Sequence, residues 1–402
     1  MKVVLCSMVP HYSHTAVALQ EAGYLKRYIT GLILTNRKRG NVTRALPMNI
    51  QKKLLGGGRC NKLLKPDLVT SLWYVEAIRK GLGLMPFINN YYNYKILISN
   101  ILFDLVSSLY LNECNILHVI SSQGTRTLQK AKKKGTIIIV DERGAHPTHR
   151  RKLLEEEYAR FRCSSSTEEF FENIRKQEYE LADFILVPSQ YVFDSFVKMG
   201  INEHKLFIVP YGVDLGVFQQ IPKIDKTFRV LYVGRVSLAK GVHYLLEAYR
   251  QLELKNAELL LIGQIEEVFK PILKKYAGIF KHISNVSNKE LYKFYSNSSV
   301  FVLPSLSDSF GLVSLEAMAC GLPIIVTENC GAVTRDGKDG FVIPIRDVKA
   351  LKEKILTLYE NEDLRQQMGN SAKEYIKNFT WEHYGQKVVQ AYREIARIRG
   401  FE

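Results

Sequence analysis

Short apolar runs of strand length recur along the chain, separated by stretches with helical spacing. They fall at Val3–Cys6, Ile29–Leu34, Ile116–Ile120, Thr136–Val140, Phe184–Val187 and Phe207–Val209. Helical patterns such as Thr15–Ala22 and Tyr191–Met199 lie between them. After Asp214 the pattern loosens into L-G-V-F-Q-Q-I-P-K-I-D-K, which reads as a linker. A second series follows at Arg229–Val233, Glu258–Ile262, Val300–Leu303, Ile324–Thr327 and Phe341–Ile343, and helices from Val348 onward close the chain. Strands that alternate with helices through short connections predict parallel sheets covered on both faces. Two such series around one linker predict an α/β chain of two doubly wound, Rossmann-like domains facing a cleft. Ligands of such sheets bind beyond the carboxyl ends of the strands.

Composition agrees with this picture. A chain of 402 residues exceeds one ordinary core, and 46% apolar residues suffice for two. The six cysteines have no metal-ligand spacing and read as reduced, mostly buried thiols. M-K-V-V-L-C-S-M-V-P-H-Y-S-H reads as a first core strand rather than a signal peptide. The apolar stretch Ile96–Leu111 is interrupted by Asn100 and Asp104, too short to span a bilayer, and reads as a buried or partly interfacial helix. A cytoplasmic protein is expected.

Charge changes the picture more. The net is +16, and residues 1–100 hold 15 basic against three acidic residues, which gives +12. Such a field suits anionic lipid, nucleic acid or a phosphorylated substrate, or is a solvated basic face. Residues 37–65 add Leu46, Ile50, Leu54, Leu55, Leu63 and Leu64 to the cations, the mixture of a segment lying on a membrane surface.

Two stretches carry candidate chemistry. In S-D-S-F-G-L-V-S-L-E-A-M-A-C-G-L-P, Asp308 belongs to a loop at the carboxyl end of a strand and Glu316 to the helix that follows. The amides of Phe310, Gly311 and Leu312 at that helix start suit an anionic ligand such as a diphosphate, with a carboxylate beside it for sugar hydroxyls. The plainer alternative makes Asp308 a helix cap and Glu316 a solvated helix residue. In V-L-Y-V-G-R-V-S-L-A-K-G-V-H-Y, Arg235 and Lys240 flank a strand-to-helix turn where two cations can clamp a diphosphate. Neither the P-loop nor the dinucleotide fingerprint is present.

Together with V-P-S-Q-Y-V-F-D-S-F-V-K-M-G-I-N-E-H-K-L-F-I-V-P-Y-G-V-D, these stretches resemble the retaining glycosyltransferases of the GT-B fold, the large family four (glycosyl transferases group 1). The resemblance implies an acceptor-binding domain over residues 1–214 and a nucleotide-sugar domain over 215–378. It implies a last helix, 379–402, returning to the first domain. It assigns the diphosphate to Arg235 and Lys240, the donor sugar and phosphates to Asp308 with the amides of Phe310, Gly311 and Leu312, and the ribose to Glu316. Ile283 would sit near the base. On the acceptor side it implies His146, in T-I-I-I-V-D-E-R-G-A-H-P-T-H, facing donor sugar and acceptor across the cleft. Arg143 is either a ligand for phosphate or sugar there, or the partner of Glu142 or Glu155.

This chain departs from the family in two places. Asp308 stands where Glu is usual, and the loop V-P-H-Y-S-H-T lacks the family's Gly-Gly, so His11, Tyr12, Ser13 and His14 are expected to supply side-chain contacts instead. No D-x-D motif appears, so the sequence calls for no metal and no cofactor beyond the nucleotide-sugar substrate. The implied activity is hexosyl transfer with retention, in polysaccharide, lipopolysaccharide or glycolipid synthesis, by an enzyme peripheral to the inner face of the membrane. Its acceptor would be a lipid-linked or anionic saccharide. The alternatives are a non-catalytic nucleotide-sugar-binding subunit and a nucleotide-sugar epimerase of similar layout. A nucleic-acid binder would explain the basic first hundred residues but not the donor signature.

Overall fold

The computed structural model describes residues 1–33, 35, 61–82, 92–163 and 169–401. Most of the expected surface segment 37–65, with Lys52 and Lys53, lies outside the described residues, as does Cys60.

The first domain is a seven-stranded parallel sheet. Its strands are β1 (Val3–Ser7), β2 (Leu25–Thr30), β3 (Val69–Ser71), β4 (Ile116–Ile120), β5 (Ile137–Asp141), β6 (Phe184–Val187) and β7 (Leu206–Ile208), in the order β3-β2-β1-β4-β5-β6-β7. Its helices are α1 (Tyr12–Glu21), α2 (Trp73–Leu82), α3 (Tyr92–Leu109), α4 (Thr125–Lys133), α5 (Pro147–Arg160), α6 (Glu169–Leu181) and α7 (Gln190–Val197). The strands β1, β4, β5 and β6 are buried along their whole length, which is why they read as nearly continuous apolar runs rather than alternating ones.

The second domain repeats the plan with six parallel strands. These are β8 (Phe228–Val233), β9 (Ala257–Ile262), β10 (Lys281–Ile283), β11 (Val300–Leu303), β12 (Ile324–Thr327) and β13 (Gly340–Ile343), in the order β10-β9-β8-β11-β12-β13. Its helices are α8 (Val242–Arg250), α9 (Lys270–Lys274), α10 (Leu291–Ser296), α11 (Leu312–Ala319), α12 (Val348–Glu360) and α13 (Glu362–Tyr375). In both sheets the strand order reverses beside the first strand, at β1/β4 and at β8/β11. That switch point opens a crevice where the chain leaves in opposite directions.

The last helix, α14 (Trp381–Ile398), packs on α1 of the first domain. Tyr384 hydroxyl bonds Thr15 at 2.7 Å, and Tyr392 hydroxyl bonds His118 Nδ1 at 2.5 Å, both in buried surroundings. Gly212 allows this return: a Cβ there would meet the Thr380–Trp381 peptide at 2.4 Å.

The strand expected at Ile29–Leu34 is instead β2, which begins at Leu25. Lys26 and Arg27 break its apolar run, so only its second half shows in the sequence. Lys26 reaches out to the carbonyl of Glu113, which lets it sit on a strand of the sheet.

Candidate active site

The strand β8 ends at Val233 and the chain turns through Gly234, Arg235 and Val236 before α8. Gly241, at φ +63°, is the residue before α8, and a Cβ there would lie 1.9 Å from the carbonyl oxygen of Pro304. The turn after β8 is thereby pressed against the loop after β11. Arg235 is exposed beside it, while its carbonyl accepts the Tyr232 hydroxyl at 2.6 Å. Lys240 points across to the β11 loop and forms an ion pair with Asp308.

Asp308 has a second partner. Its other oxygen accepts from the amide of Gly311 at 3.2 Å, and Gly311 at φ +59° starts α11. The Gly311 amide, expected to face a ligand, is thus occupied by Asp308. The amide of Leu312 opens the helix, where position alone denies it an intrahelical acceptor. Tyr211, Gly234, Lys240, Asp308, Phe310 and Leu312 are among the residues lining a cavity of roughly 230 Å³ in this crevice. Ile283 ends β10 at the same edge of the sheet, its carbonyl held by the amide of Gly263 at 2.9 Å.

Glu316 is not the solvated helix residue of the plainer alternative. It is shielded, and its carboxylate accepts from the Tyr295 hydroxyl at 2.8 Å. Burial pushes its carboxyl up from 4.5 to about 7, against the opposing effect of that hydrogen bond. A carboxyl that is half-protonated near neutrality is poised to change charge when hydroxyl donors arrive.

Across the cleft, the first domain presents a ring of aromatic groups. His11 lies between Tyr12 (centroids 4.8 Å apart) and Tyr211 (5.4 Å), and His14 stacks on Trp381 at 4.3 Å. Tyr211 in turn meets Phe310 of the donor loop edge-on at 5.4 Å. Burial, helped by the nearby Arg143 charge, lowers His11 from 6.5 to about 3, so it is a neutral ring. Ser13 is buried in α1. Arg143 is exposed, and both expected acidic partners are engaged elsewhere. Glu142 accepts the Tyr179 hydroxyl and the amides of Arg143 and Gly144, while Glu155 pairs with Arg151 at 3.1 Å.

His146 precedes Pro147, the first residue of α5, and its amide donates to Ser195 Oγ at 2.9 Å. The ring is buried within the first domain, 5.1 Å from Phe196 and 5.8 Å from Tyr179. Burial lowers it to about 4. The structure therefore brings Lys240, Asp308 and the start of α11 to one cavity, leaves Arg235 exposed on the turn after β8, and places His146 among its own domain's rings.

Tyr211 and Tyr295 were not among the expected site residues. Tyr295 shows only as one more aromatic of an amphipathic helix, and its partner lies 21 residues on. The contacts between the domains also escape sequence reading. The Ser189 hydroxyl donates to the carbonyl of Ser309 at 2.6 Å, and the Tyr191 hydroxyl donates to Ser307 Oγ at 2.8 Å, so α7 grips the donor loop. Glu157 of α5 accepts from His243 (2.9 Å), Tyr244 (2.7 Å) and Arg346 (2.8 Å) of the second domain. Among the described residues no group of three or more His, Cys, Asp or Glu side chains converges as a metal site.

Residues 217–375 match the family model of the glycosyl transferases group 1. That match lies in the second domain. It is 33% identical over 197 residues to the capsular polysaccharide biosynthesis glycosyltransferase of Staphylococcus aureus, a match covering 44% of this chain and 52% of that protein. It is 27% identical over 219 residues to the D-inositol 3-phosphate glycosyltransferase of Paenarthrobacter aurescens, covering 48% and 53%. The chain thus spans about half the length of the curated relatives it matches. Among solved structures, sucrose-phosphate synthase from Thermosynechococcus elongatus superposes with a TM-score of 0.66 at 17% identity, over 99% of this chain and 100% of that one. Anabaena HepE in complex with UDP and glucose superposes at 0.62 with 14% identity, over 98% and 100%. These likenesses extend over both domains and show the GT-B architecture.

Proposed function

We propose that this chain is a group 1 glycosyltransferase that moves a hexosyl unit from a nucleotide-sugar to an acceptor hydroxyl, with retention of anomeric configuration, in the synthesis of a surface polysaccharide, lipopolysaccharide or glycolipid. The observation that carries the reading is the meeting of Lys240, Asp308 and the start of α11 on one cavity at the β8/β11 switch point. In this reading the diphosphate lies over the first turn of α11, facing Arg235 and Lys240. The bond from the sugar's anomeric carbon to the leaving phosphate oxygen breaks with that electron pair on the phosphate. The acceptor oxygen bonds the same carbon on the same face, and its proton passes to the departing phosphate. The cations and helix amides stabilise the charge that builds on the diphosphate, which is the main catalytic device. Asp308 holds donor-sugar hydroxyls, Glu316 the ribose, and Ile283 borders the base. His146, with His11, Ser13 and Arg143, belongs to the acceptor side, which takes a lipid-linked or anionic saccharide. The relatives named for capsular polysaccharide and inositol 3-phosphate glycosylation support that acceptor class.

The test is donor hydrolysis and transfer over a panel of nucleotide-sugars, with product configuration read by NMR. Arg235→Ala and Lys240→Ala, each checked for folding by circular dichroism, are expected to raise the barrier by about 2–4 kcal/mol, the cost of losing one preorganised donor. Turnover is expected to persist in excess chelator, since this mechanism assigns the leaving-group charge to side chains. Near-normal turnover in either variant would overturn the clamp, and an inverted product would overturn retention.

A further inference from the structure

The helix α3 is apolar on both sides. Its inner side packs Phe103, with Leu102 and Val106 beside it, on the core of the first domain, and also buries Lys95, Ser99, Asn100, Ser107 and Ser108. Its outer side carries Ile98, Ile101, Leu105 and Leu109, and Leu109 is 72% exposed. The spacing of three, four and four residues makes these a single stripe, about 16 Å long at 1.5 Å per residue. An ordinary surface helix carries polar residues on its outer side. The inner hydroxyls are partly satisfied within the helix: Ser99 Oγ donates to the carbonyl of Ile96 at 2.8 Å, and Ser108 Oγ to that of Leu105 at 2.6 Å. Beside α3, the helix α2 exposes Trp73, Tyr74 and Ile78. Among the described residues no helix is long and apolar enough to cross a membrane.

Basic groups outnumber acidic ones in the segments around this face. Residues 61–82 and 92–134 contain ten basic groups (Lys62, Lys65, Arg79, Lys80, Lys95, Arg126, Lys130, Lys132, Lys133, Lys134) and four acids, which gives +6. Two of those acids are withdrawn. Glu76 is buried, taking the Leu32 amide at 3.0 Å and Arg79 at 3.3 Å. Asp104 caps α4, accepting from the amides of Arg126 (2.7 Å) and Thr127 (2.9 Å). Lys130 extends to the carbonyl of Ser108 at the end of α3. A second copy would bring a like-charged rim against this one. A bilayer with anionic headgroups complements both the stripe and its rim.

We infer that the outer face of α2 and α3 docks the protein on an anionic lipid surface, with Ile101, Leu105 and Leu109 entering the headgroup boundary and the surrounding Lys and Arg meeting lipid phosphates. Exposed Trp73 and Tyr74 are the residue types that settle at such a boundary. This surface is distinct from the sugar-transfer crevice and does not depend on the reaction.

Co-sedimentation of the full chain with vesicles tests it, using phosphatidylcholine alone and phosphatidylcholine with phosphatidylserine. The expected result is binding to the anionic vesicles, weakened by salt, with little binding to the neutral ones. The variant Ile101→Glu/Leu105→Glu should weaken that binding by about tenfold or more, since each change removes buried apolar area and adds repulsion. Its donor hydrolysis and melting temperature should match the parent. Leu109→Glu alone is the second variant, at the most exposed position of the stripe, should the double change perturb folding. Absence of binding to anionic vesicles at low salt overturns the inference, as does equal binding to both compositions. Unchanged binding in both variants also overturns it. Self-association abolished by the variants, without vesicle binding, would assign the face to a second copy instead. The assay needs no donor, so its failure leaves the transfer reading untouched, and failed transfer leaves docking untouched.

Discussion

Glu316 and Tyr295 form a buried acid–phenol pair. The carboxyl is raised from 4.5 to about 7, so in this interval the folded protein binds more protons than the unfolded chain. Stability of the ligand-free protein therefore falls as pH rises through that window, and Glu316→Gln should flatten the slope. Hydroxyls that donate to the site favour the ionised form. Nucleoside diphosphate affinity is accordingly expected to rise between about pH 5 and about pH 8 by more than in Glu316→Gln, a comparison that subtracts the ligand's own titration. Calorimetry in buffers of different ionisation enthalpy reads the released proton directly. Identical pH profiles for parent and variant would show that this carboxyl does not meet the ligand. The acids and cations of this site were legible because their spacing is local: Asp308 and Glu316 share one loop and helix, Arg235 and Lys240 one turn. Their partnerships were not. The Lys240–Asp308 pair joins residues 68 apart, and only the parallel pairing of β8 with β11 brings them together.

At the scale of elements, legibility followed burial. Ile116–Ile120, Phe184–Val187, Val300–Leu303 and Ile324–Thr327 are interior strands, fully buried and mostly apolar, and the sequence marks their ends to the residue. The edge strands β3 and β10 escaped, being three residues each and never fully buried. Helix starts are fixed by backbone contacts that composition does not reveal. Gly241 and Gly311 both adopt left-handed φ, but they meet different neighbours. A Cβ at Gly241 would strike the Pro304 carbonyl at 1.9 Å, whereas at Gly311 its nearest contact is Cys330 Sγ at 3.0 Å. The left-handed conformation alone costs a non-glycine residue roughly 1–2 kcal/mol. Gly311→Ala should lose about that much, and Gly241→Ala clearly more, since main chain must also move. Thermal unfolding of the two variants side by side checks the ranking, and equal losses would count against it.

For the whole molecule, Glu157 is the main polar tie between the domains. Burial alone would raise its carboxyl, but hydrogen bonds from His243, Tyr244 and Arg346 outweigh that and hold it at about 2. The contribution is fully present above 4.5, its unfolded value, and is lost as pH falls towards 2. Glu157→Ala leaves three donors without their acceptor. It is expected to increase the radius of gyration measured by small-angle scattering at neutral pH, while each domain keeps its fold by circular dichroism. An unchanged radius would mean that other contacts suffice to hold the domains. The hydroxyls of Ser189 and Tyr191 add a different property. They belong to the first domain yet hold the loop that carries Asp308. A ligand that shifts α7 therefore shifts that loop, and the dependence runs both ways. By linkage, whatever factor an acceptor applies to nucleotide affinity, the nucleotide must apply to acceptor affinity. In the proposed transfer, two hydroxyls so placed make the order in which substrates arrive a property of the protein's energetics, and not only of their concentrations.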